Sequence, residues 1–162
     1  MKKYMPDAYY SKTIDIPFAD YVAKGYKYVL FDLDNTIAPD HSHVPVPYSF
    51  EIVKIISDLG MKCCLVSNAK SNRSEIFAKK LDIPFVSYAA KPSPKGIIRA
   101  MRDLGADTTN TMMVGDQFFT DIIAGKRAKI HTIWVKPYES REVFYVRFKR
   151  PLEFIIRKLY GF

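Results

Sequence analysis

Short apolar segments alternate with helix-like segments along most of the chain, and this alternation constrains the fold more than any other feature. The apolar runs are four to six residues long and lie at 26–31, 62–66, 83–86, 111–114 and 130–135. Between them, apolar residues recur at helical spacing in the segments 47–59, 72–81, 94–104 and 119–128. Strands this short and apolar are typical of a parallel sheet that crossover helices cover on both faces. The sequence therefore predicts an α/β fold in three layers, built on a doubly wound parallel sheet.

Local signals place the ends of these helices. Asn72 and Glu75 have the spacing of a capping box. Ser93 and Pro94 have the pattern of an N-cap residue and a first helical residue. Gly60 follows the segment 47–59 as a helix stop.

Length and charge indicate one soluble domain with a basic surface. A chain of 162 residues suits a single domain, with a core at about 20–136 and a basic, aromatic appendage at about 137–162. The net charge of +8 favours acidic partners: a phosphorylated substrate, an anionic membrane surface or nucleic acid. No apolar run approaches the ~20 residues of a membrane span, and no signal-peptide core follows Lys2 and Lys3. We therefore expect a cytoplasmic protein, in which the adjacent Cys63 and Cys64 are buried thiols.

Polar side chains stand where three of the predicted strands end. Asp32 and Asp34 follow the first strand, Ser67 and Asn68 the second, and Asp116 the fourth. Ligands of such folds bind at the carboxyl ends of the strands, so these side chains predict a site. Two carboxylates this close repel each other unless a cation or a shared proton intervenes, and oxygen ligands beside a phosphate favour Mg²⁺. Taken alone, the Asp-Leu-Asp-Asn tract is equally typical of a solvated turn.

Four short motifs, in a fixed order along the chain, carry a resemblance to a known protein family. The tract 32–36 reads DLDNT, 67–68 reads SN, 91–92 reads KP, and 115–121 reads GDQFFTD. Together they resemble the four motifs of the HAD (haloacid dehalogenase-like) phosphatase superfamily, which has a Rossmann-like core. With Met5-Pro6-Asp7 near the start, the chain more narrowly resembles the subfamily IIIA branch of short bacterial YqeG proteins, which is related to mitochondrial phosphatidylglycerophosphate phosphatases.

The resemblance implies roles for the first motif in the chemistry. Asp32 would attack phosphorus and form an aspartyl-phosphate. Asp34 would protonate the leaving oxygen and then accept a proton from the hydrolytic water.

The resemblance also implies how phosphate and metal are held. Ser67 and the backbone at Asn68 would hydrogen-bond the phosphoryl oxygens, and Lys91 would neutralise their charge and restrain the nucleophile. Asp116 would bind Mg²⁺ together with Asp32 and the Asp34 carbonyl, and Asp121 would orient that metal cluster.

Several of these residues have a simpler interpretation. Lys95 competes with Lys91 for the phosphate role, although its position one turn into a helix favours solvent exposure. Thr36 can serve only to tie down its loop. Asp121 can be a carboxylate favoured by a helix dipole. His41 and His43 have no third ligand nearby and are more typical of a surface loop than of a metal site.

The spacing between motifs leaves no room for a cap domain. The segment between Asp34 and Ser67 holds one loop and one helix, and the segment between Ser67 and Lys91 holds one helix and one strand. The site is therefore expected to be open to bulky substrates such as a lipid headgroup. The loop 36–47, with three prolines, is expected to act as a flap.

Two functions fit the sequence. The first is a Mg²⁺-dependent phosphomonoesterase, with phosphatidylglycerophosphate as the best candidate substrate. The alternative is a nucleic-acid- or ribosome-associated binding protein that retains the fold. The appendage either packs on the sheet or docks peripherally on an anionic membrane.

Overall fold

A single parallel sheet organises the chain. The computed structural model describes residues 4–69 and 72–138, together with Phe154, Ile155 and Lys158. The six strands are β1 (Ala8–Tyr10), β2 (Tyr28–Phe31), β3 (Lys62–Val66), β4 (Phe85–Val86), β5 (Thr111–Gly115) and β6 (His131–Val135). They pair in the order β1-β6-β5-β2-β3-β4, and every pairing is parallel.

Helices connect the strands and cover both faces. They are α1 (Phe18–Ala23), α2 (Pro47–Asp58), α3 (Arg73–Leu81), α4 (Lys95–Leu104) and α5 (Ile123–Arg127). A 3₁₀ turn spans Thr13–Asp15, and a π-helical turn spans Phe118–Ile122 directly before α5.

Alternating side chains of the central strand separate two cores. Val29 and Phe31 of β2 pack in the cluster that α1, α2 and α3 cover, whereas Leu30 packs in the cluster under α4 and α5. All three side chains are fully buried, as expected for a strand between two helical layers. The predicted three-layer, doubly wound fold is confirmed.

No cap domain interrupts the described residues. One helix, α2, lies between β2 and β3, and one helix, α3, lies between β3 and β4. No helix among residues 4–69 and 72–138 is long and apolar enough to span a bilayer. Cys63 and Cys64 are buried thiols, as predicted, and burial raises the pKa of each to about 12.

The amino-terminal elements differ from the prediction. Strand β1 and helix α1 were not expected, and β1 places part of the sheet before the predicted core boundary at about residue 20. Strand β1 has only three half-buried residues at the sheet edge, which is too short for any periodicity to show. The predicted appendage 137–162 lies largely outside the described residues.

Some element ends also differ. The predicted capping box does not form, because Asn72 has near-helical backbone angles and makes no side-chain cap, and Glu75 pairs instead with Lys79 at 2.7 Å. Helix α4 begins at Lys95 with Pro94 as its N-cap residue, one position later than Ser93 and Pro94 indicated. The helix predicted from residue 119 starts as the π-helical turn.

Asp7 attaches the amino-terminal strand to the far end of the chain. Its Oδ2 accepts hydrogen bonds from the backbone N–H of Thr132 at 2.8 Å and from its Oγ1 at 3.0 Å, and Lys126 Nζ lies 2.5 Å from Oδ1. Burial disfavours the Asp7 carboxylate, but the bonds from Lys126 and Thr132 outweigh it and lower its pKa. The Met5-Pro6-Asp7 tract therefore has a structural partner in β6.

Candidate active site

The carboxyl ends of the strands meet around a cavity of about 480 Å³. Asp32 and Asp34 enter its wall after β2, Ser67 and Asn68 after β3, and Lys91 after β4. Asp121 reaches the same cavity from the π-helical turn, whereas Asp116 is fully buried behind it. The structure thus brings every predicted site residue to one edge of the sheet.

Lys91 is the charged centre of this cluster. Its buried Nζ lies 2.5 Å from Asp32 Oδ1 and 2.7 Å from Asp121 Oδ1. Burial works against the ammonium, but the two carboxylates outweigh it and raise the pKa of Lys91. Lys91 therefore carries its positive charge into the site and holds one oxygen of Asp32 in a defined orientation.

Asn68 fixes the backbone that carries this lysine. Its Nδ2 donates to the Lys91 carbonyl at 2.9 Å, and its Oδ1 accepts from the Lys91 N–H at 2.8 Å. Both the NH₂ and the carbonyl oxygen of the Asn68 side chain are therefore engaged with the Lys91 backbone. These two bonds hold the loop after β4 against the loop after β3. Ser67 is 2% exposed, and its Oγ accepts from the Ala69 N–H at 3.1 Å, which leaves its hydroxyl proton to donate into the cavity.

Three buried carboxylates could hold a metal ion. One oxygen from each of Asp32, Asp116 and Asp121 lies within 4.8 Å of the others. The pKa of Asp32 is raised to about 7, mainly by burial. The ammonium of Lys91 opposes this rise, and the charges of Asp121 and Asp34 add to it. When all three are ionised, the carboxylates leave two negative charges beside the one ammonium, so an all-oxygen donor set and its net charge both fit a divalent cation.

Hydrogen bonds and close packing behind the three carboxylates hold them in place. The Asp116 carbonyl accepts a hydrogen bond from Trp134 Nε1 at 2.8 Å, and the Gln117 N–H donates to Asp121 Oδ2 at 3.0 Å. A side chain at Gly115 would come within 2.5 Å of Asp121 Cγ and Oδ2, so only glycine leaves room for this carboxylate. Trp134, which resembles ordinary core packing in the sequence, therefore supports the site.

Arg73 is a site residue that the sequence did not reveal. It is 8% exposed, and its guanidinium binds both carboxylate oxygens of Asp34, with Nη1 2.7 Å from Oδ1. Nη1 also donates to the Ser42 carbonyl at 3.3 Å, which ties the flap loop to α3. In sequence, an arginine at the start of a polar helix is typical of a solvated face, so no signal distinguished it.

The structure also locates the residues that have a second, simpler interpretation in the sequence. Lys91 lies in the site, whereas Lys95 is exposed at the start of α4. Thr36 is buried in the adjoining loop and does not line the cavity. His41 lines the cavity rim and donates its backbone N–H to Asp34 Oδ1 at 3.0 Å, while His43 is exposed.

Comparison with known proteins agrees with this geometry. The haloacid dehalogenase-like hydrolase family matches residues 39–129, more than half of the chain. A solved structure of an uncharacterized protein from Listeria monocytogenes serotype 4b superposes with a TM-score of 0.57 at 21% identity, covering 72% of this chain and 84% of that one. This likeness shows the fold.

Two similar proteins narrow the class of hydrolase. The probable phosphatase YqeG of Bacillus subtilis (strain 168) is 32% identical over 152 residues, covering 94% of this chain and 88% of that protein. The phosphatidylglycerophosphate phosphatase 1 of Arabidopsis thaliana chloroplasts and mitochondria is 27% identical over 147 residues, covering 83% of this chain but 42% of the plant protein. The chain therefore belongs to the haloacid dehalogenase-like hydrolases and, among them, to the phosphatases related to YqeG, as the motifs indicated.

Proposed function

We propose that the protein is a Mg²⁺-dependent phosphomonoesterase that forms an aspartyl-phosphate on Asp32. The observation that carries this proposal is the buried contact of Lys91 with Asp32 and Asp121 beside the three-carboxylate cluster. A structural salt bridge does not require a third buried acid, and burial of uncompensated carboxylates is costly unless a cation joins them.

The residues divide the work as their contacts suggest. Lys91 holds Asp32 Oδ1, so Oδ2 can attack phosphorus, while the ammonium offsets charge on the phosphoryl oxygens. The Ser67 hydroxyl can donate to one of those oxygens. Asp32, Asp116 and Asp121 would hold Mg²⁺, which when bound would neutralise the negative charge of the phosphoryl group.

Asp34 is the proposed acid for the leaving oxygen. Both of its oxygens accept hydrogen bonds from Arg73. Before Asp34 can act as an acid, one oxygen must lose its bond to Arg73 and take up a proton from solvent. A bound phosphomonoester supplies new acceptors for the guanidinium, and Arg–phosphate pairs form the same two-pronged contact. Substrate binding would thus release Asp34 for its role as acid and then base.

The substrate proposed is the terminal phosphomonoester of phosphatidylglycerophosphate. The relation to the plant phosphatase and the absence of a cap domain among the described residues both support a bulky headgroup substrate. Peripheral contact with an anionic membrane belongs to the same proposal. It rests on seven Lys or Arg against three Glu in residues 136–162.

Asp32→Asn tests the nucleophile, with Asp20→Asn at an exposed position of α1 as a matched loss of one carboxylate. We expect Mg²⁺-dependent turnover of an aryl phosphate to fall by at least ~10³-fold in the first variant, because the amide cannot attack phosphorus. Turnover of the control should stay near wild type. More than a few per cent residual activity in a folded Asp32→Asn protein would contradict the proposal.

A further inference from the structure

A second cavity, of about 550 Å³, opens at the same edge of the sheet as the active-site cavity. It lies where β1 and β6 end: the parallel register pairs Tyr10 with Val135, so the next residues of both strands, including Lys12 and Lys136, come together in its wall. Asp34 lines the active-site cavity, and the following residue, Asn35, lines the second cavity. The loop after β2 therefore separates two adjoining spaces.

The second cavity has a charge opposite to that of the first. Lys12 and Lys136 line it, no carboxylate does, and neither lysine forms an ion pair within residues 4–69 and 72–138. The active-site cavity, in contrast, is lined by three carboxylates, which outnumber the two basic groups in its wall: Asp32, Asp34 and Asp121 against Arg73 and Lys91. Two ammonium groups in a concave wall, with no carboxylate partner among the described residues, favour an anion.

The walls of the second cavity are held by several contacts. Thr13 Oγ1 donates to the Thr36 carbonyl at 2.7 Å, and the Tyr138 N–H donates to the Asn35 carbonyl at 2.8 Å. The rings of Tyr48 and Tyr138 lie with their centroids 4.9 Å apart. These contacts hold the wall of the pocket in shape, and Lys12 and Lys136 line it as exposed side chains.

A buried hydroxyl gives a second, independent sign of a ligand. Thr36 lines the pocket and is 1% exposed, yet its Oγ1 has no hydrogen-bond partner among the described residues. Buried hydroxyls are nearly always paired, so this group needs a partner that the pocket can supply.

The spacing of the strands suits one ligand that reaches both cavities. Strand β6 lies two positions from β2 in the sheet, and β1 lies three positions away. At ~4.8 Å per strand, the ends of β6 and β1 are about 10 and 14 Å from the end of β2 that carries Asp32. The four-carbon stem of each lysine shortens this distance, so an anionic group a few bonds from the reacting phosphate is within reach.

We infer that this pocket, formed by Lys12, Lys136 and Thr36, is a subsite for a second anionic group of the substrate. That group is a phosphate or phosphodiester that a short polyol joins to the phosphomonoester at Asp32. The inference rests on the proposed function, because the subsite has meaning only beside a reacting phosphate. It favours substrates that carry two anionic groups over substrates that carry one.

The test compares two soluble substrates. Glycerol 3-phosphate carries one anionic group, and glycerophosphoglycerol phosphate carries the same monoester together with a phosphodiester. We expect wild-type kcat/KM to be roughly tenfold or more higher for the second substrate, and the ratio to fall by about tenfold in Lys12→Ala/Lys136→Ala, since hydrogen bonds between charged groups are the strong ones. Lys12→Arg/Lys136→Arg should retain the preference.

A matched control removes the same charge elsewhere. Lys27 and Lys62 are exposed at the amino ends of β2 and β3, on the opposite edge of the sheet, and Lys27→Ala/Lys62→Ala should keep the wild-type ratio. An equal loss in both double variants would reduce the effect to net charge and overturn the subsite. So would equal kcat/KM for the two substrates in wild type.

Two further results separate the possible failures. If free dimethyl phosphate accelerates hydrolysis of glycerol 3-phosphate while the two substrates remain equal, the pocket binds a separate anion and the subsite is overturned. Asp32-dependent hydrolysis of an aryl phosphate without preference between the glycerol substrates also overturns the subsite and leaves the phosphatase proposal standing. Absence of any Asp32-dependent hydrolysis overturns both.

Discussion

Alanine at Gly115 would displace the acidic cluster without removing any of its members. A Cβ there would lie 2.5 Å from both Cγ and Oδ2 of Asp121, about 1 Å inside the 3.4 Å of ordinary contact. Asp121 would have to retreat by about that distance, which would loosen its 2.7 Å contact with Lys91 and its 3.0 Å bond from the Gln117 N–H. A 1 Å misplacement of a catalytic group costs about 10²-fold in rate.

We therefore expect Gly115→Ala to lower kcat/KM on an aryl phosphate by about 10²-fold and to raise the Mg²⁺ concentration needed for half-maximal activity. Overpacking of a core costs about 1–3 kcal/mol, so the melting temperature should also fall by a few degrees. Steady-state kinetics across a Mg²⁺ titration and thermal melts measure the two effects separately.

Gly125→Ala is the matched control. Its Cβ would come as close, 2.5 Å, but to the methyl group of Thr132, where α5 packs on β6. It should lower the melting temperature by a comparable amount and leave the Mg²⁺ requirement unchanged. Activity of Gly115→Ala within threefold of wild type would refute the argument that packing behind Asp121 sets the geometry of the site. An equal rise in Mg²⁺ requirement in both variants would refute it as well.

Three further perturbations test separate contacts. Asp116→Ala removes one of the three carboxylates, so its residual activity should require far more Mg²⁺. Excess chelator should abolish the activity of the wild type reversibly. Full activity in chelator would contradict the metal proposal. Arg73→Lys retains the charge but loses the two-pronged contact with Asp34. The loss of kcat should be about tenfold larger on an alkyl phosphate than on an aryl phosphate, because an aryl leaving group needs little acid assistance. Equal losses on the two substrates would indicate a structural role only. Asp7→Asn should lower the free energy of unfolding at pH 7 by about 1 kcal/mol, measured by urea denaturation. Because the pKa of Asp7 is lowered in the folded state, the difference from wild type should be full above pH ~4, shrink below it and be lost as the pH falls through the lower folded-state pKa. A pH-independent difference would contradict the carboxylate's contribution.

The sequence alone determined the layers of the fold and most of the site. Short continuous apolar runs and apolar residues at helical spacing are local patterns, so the sequence predicts β2, β3 and β5 close to their observed bounds. Successive parallel strands carry their carboxyl ends to one edge of the sheet, so the sequence alone predicts that Asp32, Ser67 and Asp116 lie together. Lys91 was preferred to Lys95 from its motif and from helix position, and the structure places Lys91 inside the cluster.

Only the tertiary structure decided the contacts between distant segments. Nothing local to Arg73 marks it as the partner of Asp34, 39 residues away, because that pairing depends on how α3 packs against the flap loop. Strand β1 is defined by its pairing with β6 rather than by a pattern of its own. The same pairing brings Lys12 beside Lys136. Periodicity reports which face of an element is buried, whereas register and packing, which form these contacts, depend on the whole folded chain.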